Sequence, residues 1–312
     1  MWVAAAFMGV VFIWSTTPLA IQASQDSVNF LMALALRVVI SAVLAVPVLR
    51  IMGLGLPLHR AALTSYLAGA VGVYGAMLCV YWGAAYLPSG LISVLYGLSP
   101  MLSGAMAYWW LGERELTPAR ILALVIAVTG LGFVVAGRLM LDEMAWRGIV
   151  GTLVSVFLFA VSAVWTKECT KNNERNQQAP LHPLQQTAGT LWMSSIFFAL
   201  TLALTGTGLP QYWSQTSLIA IGYLAVAGSL LGFVLYFYVL NHLSAARVTM
   251  ITLIAPVLAV FWGYWFMEEV LLETTLQGVI LLLGGLAMYL WPGYLDRVFS
   301  RVSGYKAVEN QE

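Results

Sequence analysis

Charge is the scarcest property of this sequence: 14 Lys and Arg and 13 Asp and Glu make up 9% of its 312 residues, against about 25% in soluble domains. With 61% hydrophobic residues, that scarcity excludes an ordinary soluble protein. Acidic residues are missing wherever the chain is most apolar. All thirteen, from Asp26 to Glu312, fall in loops, at the ends of apolar runs or in the tail, so no carboxylate stands at bilayer depth to carry protons. Histidine and cysteine are equally sparse. His59, His182 and His242 are scattered over loops and run ends, and neither a His-Glu-x-x-His nor a Gly-x-Ser-x-Gly motif occurs. An enzyme would need paired acids, a metal cluster or an activated nucleophile, so no catalytic residue, metal or cofactor is expected. Cys79 falls in an apolar run and Cys169 in a polar stretch read as a loop, which makes a mutual disulfide a poor reading. The net charge of +1 identifies no partner, and no nucleic acid is expected as one.

What the sequence has is apolar runs. A helix needs roughly 20 apolar residues to cross a bilayer core, and ten such runs lie near 2–22, 29–50, 62–86, 89–111, 118–137, 147–166, 186–206, 216–240, 245–267 and 275–292. The fold class is therefore all-α integral membrane, with the lipid bilayer as partner. The first run has no basic residue ahead of it and no cleavage site of small residues, so it reads as a retained helix. The longest polar stretch, 167–183, reads as a loop.

The runs repeat. Laying Leu87–Leu116 on Leu243–Leu272 at an offset of 156 gives seven identities in thirty ungapped positions, including Pro100 on Pro256, Tyr108-Trp109 on Tyr264-Trp265 and Glu113 on Glu269. The same offset sets Gly72 on Gly228. This is an internal duplication. With the amino terminus in the cytoplasm, eleven Lys and Arg fall on the cytoplasmic side, two (Arg138, Arg147) on the other, and Arg37 within a run. The positive-inside rule thus expects both termini in the cytoplasm. Five runs per copy is odd, so the second copy is inverted: residues 1–137 form one repeat, 138–292 the other, and 293–312 a cytoplasmic tail. Inverted repeats characterise secondary transporters, whose substrate site lies near the midplane.

Several residues are candidates for such a site, each with a plainer alternative. Trp14 and Thr16 sit beside Pro18 mid-run, where hydroxyls either line a cavity or satisfy carbonyls freed by a kink. Arg37 is the single charge clearly at depth, a position that costs roughly 2.5–3.5 kcal/mol; it meets an anionic substrate group or holds backbone carbonyls. Tyr74 and Tyr81 share a helical stripe in the third run with Leu78 and Ala85, and the eighth run offers Tyr238 and Asn241. Stripes of this kind usually pack, but a buried phenol needs a partner. Tyr96, Ser99 and Thr252 accompany the prolines of the fourth and ninth runs, and Trp165 meets Pro18 across the repeat. Pro88, Gly90, Pro100 and Pro256 are hinge candidates: the tight hairpins at 87–90 and 243–246 lead into helices loosened by Pro100 and Pro256, and they serve as gates, or the prolines merely kink two packed helices. Glycines of the fifth and tenth runs allow close helix approach, within a monomer or in a homodimer.

Two copies of an apolar helix with a central proline, each followed by a Leu-Gly-Glu-like turn (Leu111-Gly112-Glu113; Met267-Glu268-Glu269) and a glycine-containing last helix, resemble the EamA domains of the drug/metabolite transporter superfamily. Arg37 in its Leu-Arg-Val-Val context also resembles that family's second helix. The likeness runs from Phe7 to Trp291, although the second turn lacks the usual glycine. It implies a ten-helix exporter or exchanger of small molecules in the cell (inner) membrane, whose hairpins rock around a central cavity. Tyr, Trp, Ser and Thr with one Arg suit a small, partly apolar zwitterion or anion, amino acids first. Drug efflux is an alternative. Sugar-phosphate or nucleotide-sugar exchange would want several basic residues at depth. The lack of an embedded acid leads us to expect facilitated diffusion or exchange without proton coupling.

Overall fold

The computed structural model describes residues 2–110, 118–139, 143–176, 179–243 and 273–290, and in the ninth run Val248, Ile251, Ala255, Leu258, Trp262, Trp265 and Phe266. Thr252, Pro256, both Glu-containing turns and the tail from Trp291 onward lie outside the described residues.

Among the described residues every regular element is helical. α1 is Trp2–Ser24, α2 Phe30–Ile51 and α3 Arg60–Gly83. α4 comes in two pieces, Ser89–Tyr96 and Ser99–Trp110. α5 is Pro118–Leu139, α6 Ala145–Arg175, α7 Pro183–Thr205, α8 Gln215–His242 and α9, the tenth run, Glu273–Leu290. Seven helical spans are long and apolar enough to cross a membrane, and the apolar parts of α5 and α9 are shorter. Large apolar side chains such as Met8, Phe12, Val43, Val125, Leu204 and Ile219 face outward, while Ser15, Ser41, Thr187 and Ser194 are buried. Polar inside and apolar outside is the distribution a lipid solvent demands. This is a multi-pass membrane fold.

α6 corrects one expectation. Residues 167–175 continue the helix instead of opening the long loop, and Cys169 is buried on it. Charges spaced three or four apart, at Glu168, Lys171, Glu174 and Arg175, suit a solvated helical turn; Asn176 caps its end.

Two helices carry a widened π turn, at Val71–Ala76 in α3 and Leu224–Leu231 in α8. A π turn shifts the backbone bonds to i→i+5 and loosens its carbonyls. Hydroxyls of neighbouring helices bond to carbonyls in these turns or just before them. Ser162 donates to the Ala68 carbonyl at 2.7 Å and Ser155 to Ala76 at 2.5 Å, while Ser41 donates to Ala225 at 2.8 Å. Gly72 makes room for the first of these: a Cβ there would sit 2.8 Å from Ser162 Oγ.

Packing crosses between the halves of the chain. α1 lies on α8 and α6 on α3; α2 meets the π turn of α8, and α7 meets α3. α2 and α7 also pack together. α5 pairs with α9 so closely that a Cβ on Gly130 would lie 2.7 Å from the Gly278 carbonyl, and one on Gly285 would lie 2.8 Å from that of Ala123. The small-residue faces of the fifth and tenth runs are thus used within one chain, as close packing requires.

Candidate functional site

Pro18 has no N–H to give the Trp14 carbonyl, and the hydroxyls around it bond to the backbone one turn back. Ser15 donates to Phe12, and Thr16 and Thr17 to Ile13, at 2.8, 2.9 and 2.8 Å. The turn directs Trp14, Thr17, Pro18 and Ile21, at helical spacing, into a cavity of about 680 Å³ that includes its open mouth. Opposite them stand Arg37 of α2 and Met77 and Val80 of α3. Ile92, Ser93 and Tyr96 of the first piece of α4 close another side, with Phe159 of α6 and Ala255. The wall is mostly apolar. Its aromatic part is one cluster: Trp14 meets Phe159 edge-on at 5.7 Å and Tyr236 at 5.0 Å, and Tyr96 meets Phe159 at 6.2 Å.

Arg37 is 1% exposed. Its Nε donates to Ser229 Oγ at 2.6 Å and its Nη1 to the Tyr81 hydroxyl at 3.3 Å. Both of these partners are neutral hydroxyls, not the backbone carbonyls of the plainer reading. Ser229 belongs to the π turn of α8, and Gly228 beside it lets the guanidinium approach, since a Cβ there would lie 3.2 Å from Nη2. Among the described residues no Asp or Glu is buried. Among the described residues the cavity thus holds a buried cation with no acidic side chain beside it.

Tyr96 presents the complementary chemistry. Its hydroxyl is 2.5 Å from Ser155 Oγ, and Ser155 in turn bonds the Ala76 carbonyl. A carbonyl only accepts, so the Ser155 proton is committed to Ala76 and the Tyr96 phenol must donate to Ser155. This leaves the phenol oxygen of Tyr96 as an acceptor at the cavity wall.

The other candidates lie elsewhere. Thr16 turns to α8, 2.6 Å from the Tyr223 hydroxyl, and Thr17, one residue on, takes the cavity face. Tyr74 points to α7, bonded to Thr201 at 2.7 Å and packed on Phe197 and Phe198. Tyr81 is fully buried behind Arg37. Ser99 is buried where the second piece of α4 begins, and Trp165 is half-buried on α6 outside the cavity lining. Tyr238 packs against His242 with ring centroids 4.2 Å apart, and Asn241 borders a smaller cavity at that end of α8. Ile21, Met77, Val80 and Phe159 are not candidates in the sequence, because an apolar side chain facing a cavity leaves the same pattern as one facing a neighbour.

The hairpin between α3 and α4 lies against the end of α1. Pro88 is the N-cap of α4, and its carbonyl accepts from Leu91 and Ile92 at 3.1 and 3.2 Å. Gly90 lies in the first turn, and Pro100 follows the break at Gly97-Leu98. Without an N–H, Pro100 cannot bond the Tyr96 carbonyl, which accounts for the break. Two amides from the end of α1 hold the hairpin: Gln22 Nε2 donates to the Leu87 carbonyl at 2.6 Å and Gln25 Nε2 to that of Tyr81 at 3.2 Å.

The sequence matches the EamA-like transporter family twice, over residues 1–136 and 146–291. It is 25% identical over 298 residues to the uncharacterized inner membrane transporter YedA of Escherichia coli K12, covering 92% of each chain. A probable amino-acid metabolite efflux pump of Salmonella typhimurium is 23% identical over 226 residues, 70% of this chain and 72% of that one. A solved crystal structure at 16% identity superposes with a TM-score of 0.64 over 96% of this chain and 98% of the other; that likeness speaks for the fold alone.

Proposed function

Because the chain belongs to the EamA-like transporter family, we propose that it moves small zwitterionic or anionic metabolites, amino acids first among them, across the inner membrane by alternating access around the Arg37 cavity. The observation that carries this reading is Arg37 itself: a guanidinium at the cavity wall, held by two hydroxyls, with no buried acid among the described residues to neutralise it. A substrate carboxylate supplies the missing charge through a charge-assisted bond. The Tyr96 oxygen and the aromatic faces of Trp14 and Phe159 suit an ammonium on the same molecule. The efflux-pump relative named for amino-acid metabolites agrees with that chemistry. Export, by facilitated diffusion or exchange, is the mode we assign.

The architecture we infer is ten transmembrane helices in two inverted five-helix repeats, residues 1–137 and 138–292, with both termini and the tail 293–312 in the cytoplasm. Three observations support it. The family matches twice, π turns recur around Gly72 and Gly228, and the packing of α1 on α8 is mirrored by that of α6 on α3. The Pro88 hairpin and its counterpart in the repeat, the connection 243–246, are the gates in this account.

A second reading, efflux of amphiphilic drugs or other toxic compounds, is favoured by the largely apolar wall of Ile21, Met77, Val80 and Ile92. The test is exchange in proteoliposomes of wild type and Arg37→Gln. Loss of amino-acid exchange with retained efflux of an uncharged amphiphile assigns Arg37 to the carboxylate, and no amino-acid exchange by folded wild type moves the assignment to efflux.

A further inference from the structure

Among the described residues, the hydroxyls of Thr17, Ser93 and Tyr96 line the Arg37 cavity. Two of them are engaged. Thr17 donates to the Ile13 carbonyl at 2.8 Å, and Tyr96 is bonded to Ser155 at 2.5 Å. Ser93 differs: it is 5% exposed, and among the described residues its hydroxyl bonds to no protein group. Nor is it sealed, as the unpartnered hydroxyls of Thr152, Thr166 and Ser194 are. Its remaining exposure is to the cavity it lines.

A serine inside an apolar helix ordinarily gives its proton to the carbonyl four residues back. Ser41, Ser195 and Thr201 do so here, at 2.6, 2.8 and 2.8 Å. Ser93 makes no such bond to Ser89. A buried hydroxyl without a partner is costly, and an occupant of the cavity can supply one. The repeat points the same way. At the offset of 156 Ser93 meets Thr249, whereas Ser99 meets Ala255, so both copies keep a hydroxyl at position 93 and not at position 99. Thr249 itself lies outside the described residues.

We propose that Ser93 selects zwitterions over simple anions: its hydroxyl oxygen and the Tyr96 phenol oxygen accept from the substrate ammonium while Arg37 holds the carboxylate. The proposal rests on the transport reading above. Ser93 and Tyr96 are three residues apart and share a face of the helix. An ammonium brings three donors and no acceptor, so two neighbouring oxygens suit it better than one. Both stand on the piece of α4 between the Pro88 cap and the break at Gly97-Leu98, and Arg37 stands on α2. A zwitterion thus ties α2 to the hairpin, and a carboxylate without an amine reaches α2 alone.

The test is exchange of a labelled amino acid in proteoliposomes by wild type, Ser93→Ala and Ser93→Thr, with the des-amino carboxylate of the same side chain as competitor. Ser93→Ala removes no bond to the protein, so its melting midpoint should equal that of wild type. The expected result is half-saturation for the amino acid raised about five-fold in Ser93→Ala, the worth of one hydrogen bond, restored by Ser93→Thr, with competition by the des-amino compound changed less than about two-fold. Half-saturation unchanged in Ser93→Ala, equal weakening of both compounds, or a lowered melting midpoint overturns the assignment. No exchange by folded wild type overturns the reading beneath it.

Discussion

Replacing Arg37 by glutamine separates a binding cation from a structural pin. The variant removes two donors, to Ser229 at 2.6 Å and to Tyr81 at 3.3 Å, and leaves each hydroxyl short of one partner, about 1 kcal/mol apiece. Against that, it removes a charge whose placement at helix centre costs roughly 2.5–3.5 kcal/mol. The two effects nearly cancel, so the melting midpoint in detergent should move by no more than about 5 °C. Substrate binding has no such compensation. A hydrogen bond to a charged group contributes roughly 1.5–3 kcal/mol, so half-saturation for a carboxylate substrate should rise about 10- to 150-fold. Arg37→Lys keeps the charge without the planar fork and should recover part of that loss. The assays are counterflow at varied substrate concentration and thermal unfolding of the same preparation. A large drop in melting midpoint with half-saturation unchanged in the folded fraction would refute the reasoning and make Arg37 a pin for α8.

Other variants probe the remaining contacts. Tyr96→Phe removes the acceptor at the cavity wall but leaves Ser155 bonded to Ala76; affinity for ammonium-bearing substrates should fall about five-fold, and equal loss for an uncharged amphiphile would contradict the assignment. Gln22→Leu breaks the bond to the hairpin carbonyl of Leu87, and a thiol reagent should label a cysteine introduced at position 93 about five times faster; an unchanged rate would remove Gln22 from the gate. Gly148→Val would drive a side chain against Leu87 and the Gly83 carbonyl, where overpacking costs about 1–3 kcal/mol. Its melting midpoint should fall by several degrees, and an unchanged midpoint would show that α3 and α6 do not approach closely there.

The helices were legible from the sequence because lipid sets their length and polarity together, and most run limits agree with the helical ends within a few residues. α6 was the exception. Its last turns are charged, and a membrane criterion reads charge as loop even where spacing favours helix. In the site, Trp14, Arg37 and Tyr96 could be chosen because polarity at depth is unusual. Thr16 is the candidate of the sequence where Thr17 faces the cavity, although the stripe Trp14, Thr17, Pro18 and Ile21 carries that information at helical spacing. The tyrosine stripe of α3 fared differently for a physical reason. The π turn at Val71–Ala76 adds about one residue to the helical phase, so Tyr74 faces α7 while Tyr81 faces Arg37. Glycine at position 72 hinted at close approach, but nothing in its neighbours distinguishes a π turn from an ordinary crossing.

Counterflow tests the central claim most directly: purified protein in liposomes loaded with unlabelled amino acids, labelled amino acid outside, and the proton gradient collapsed. The account predicts uptake that depends on the internal substrate and persists without the gradient. Uptake that occurs only under an imposed pH gradient, or none by folded protein with any amino acid, would contradict it.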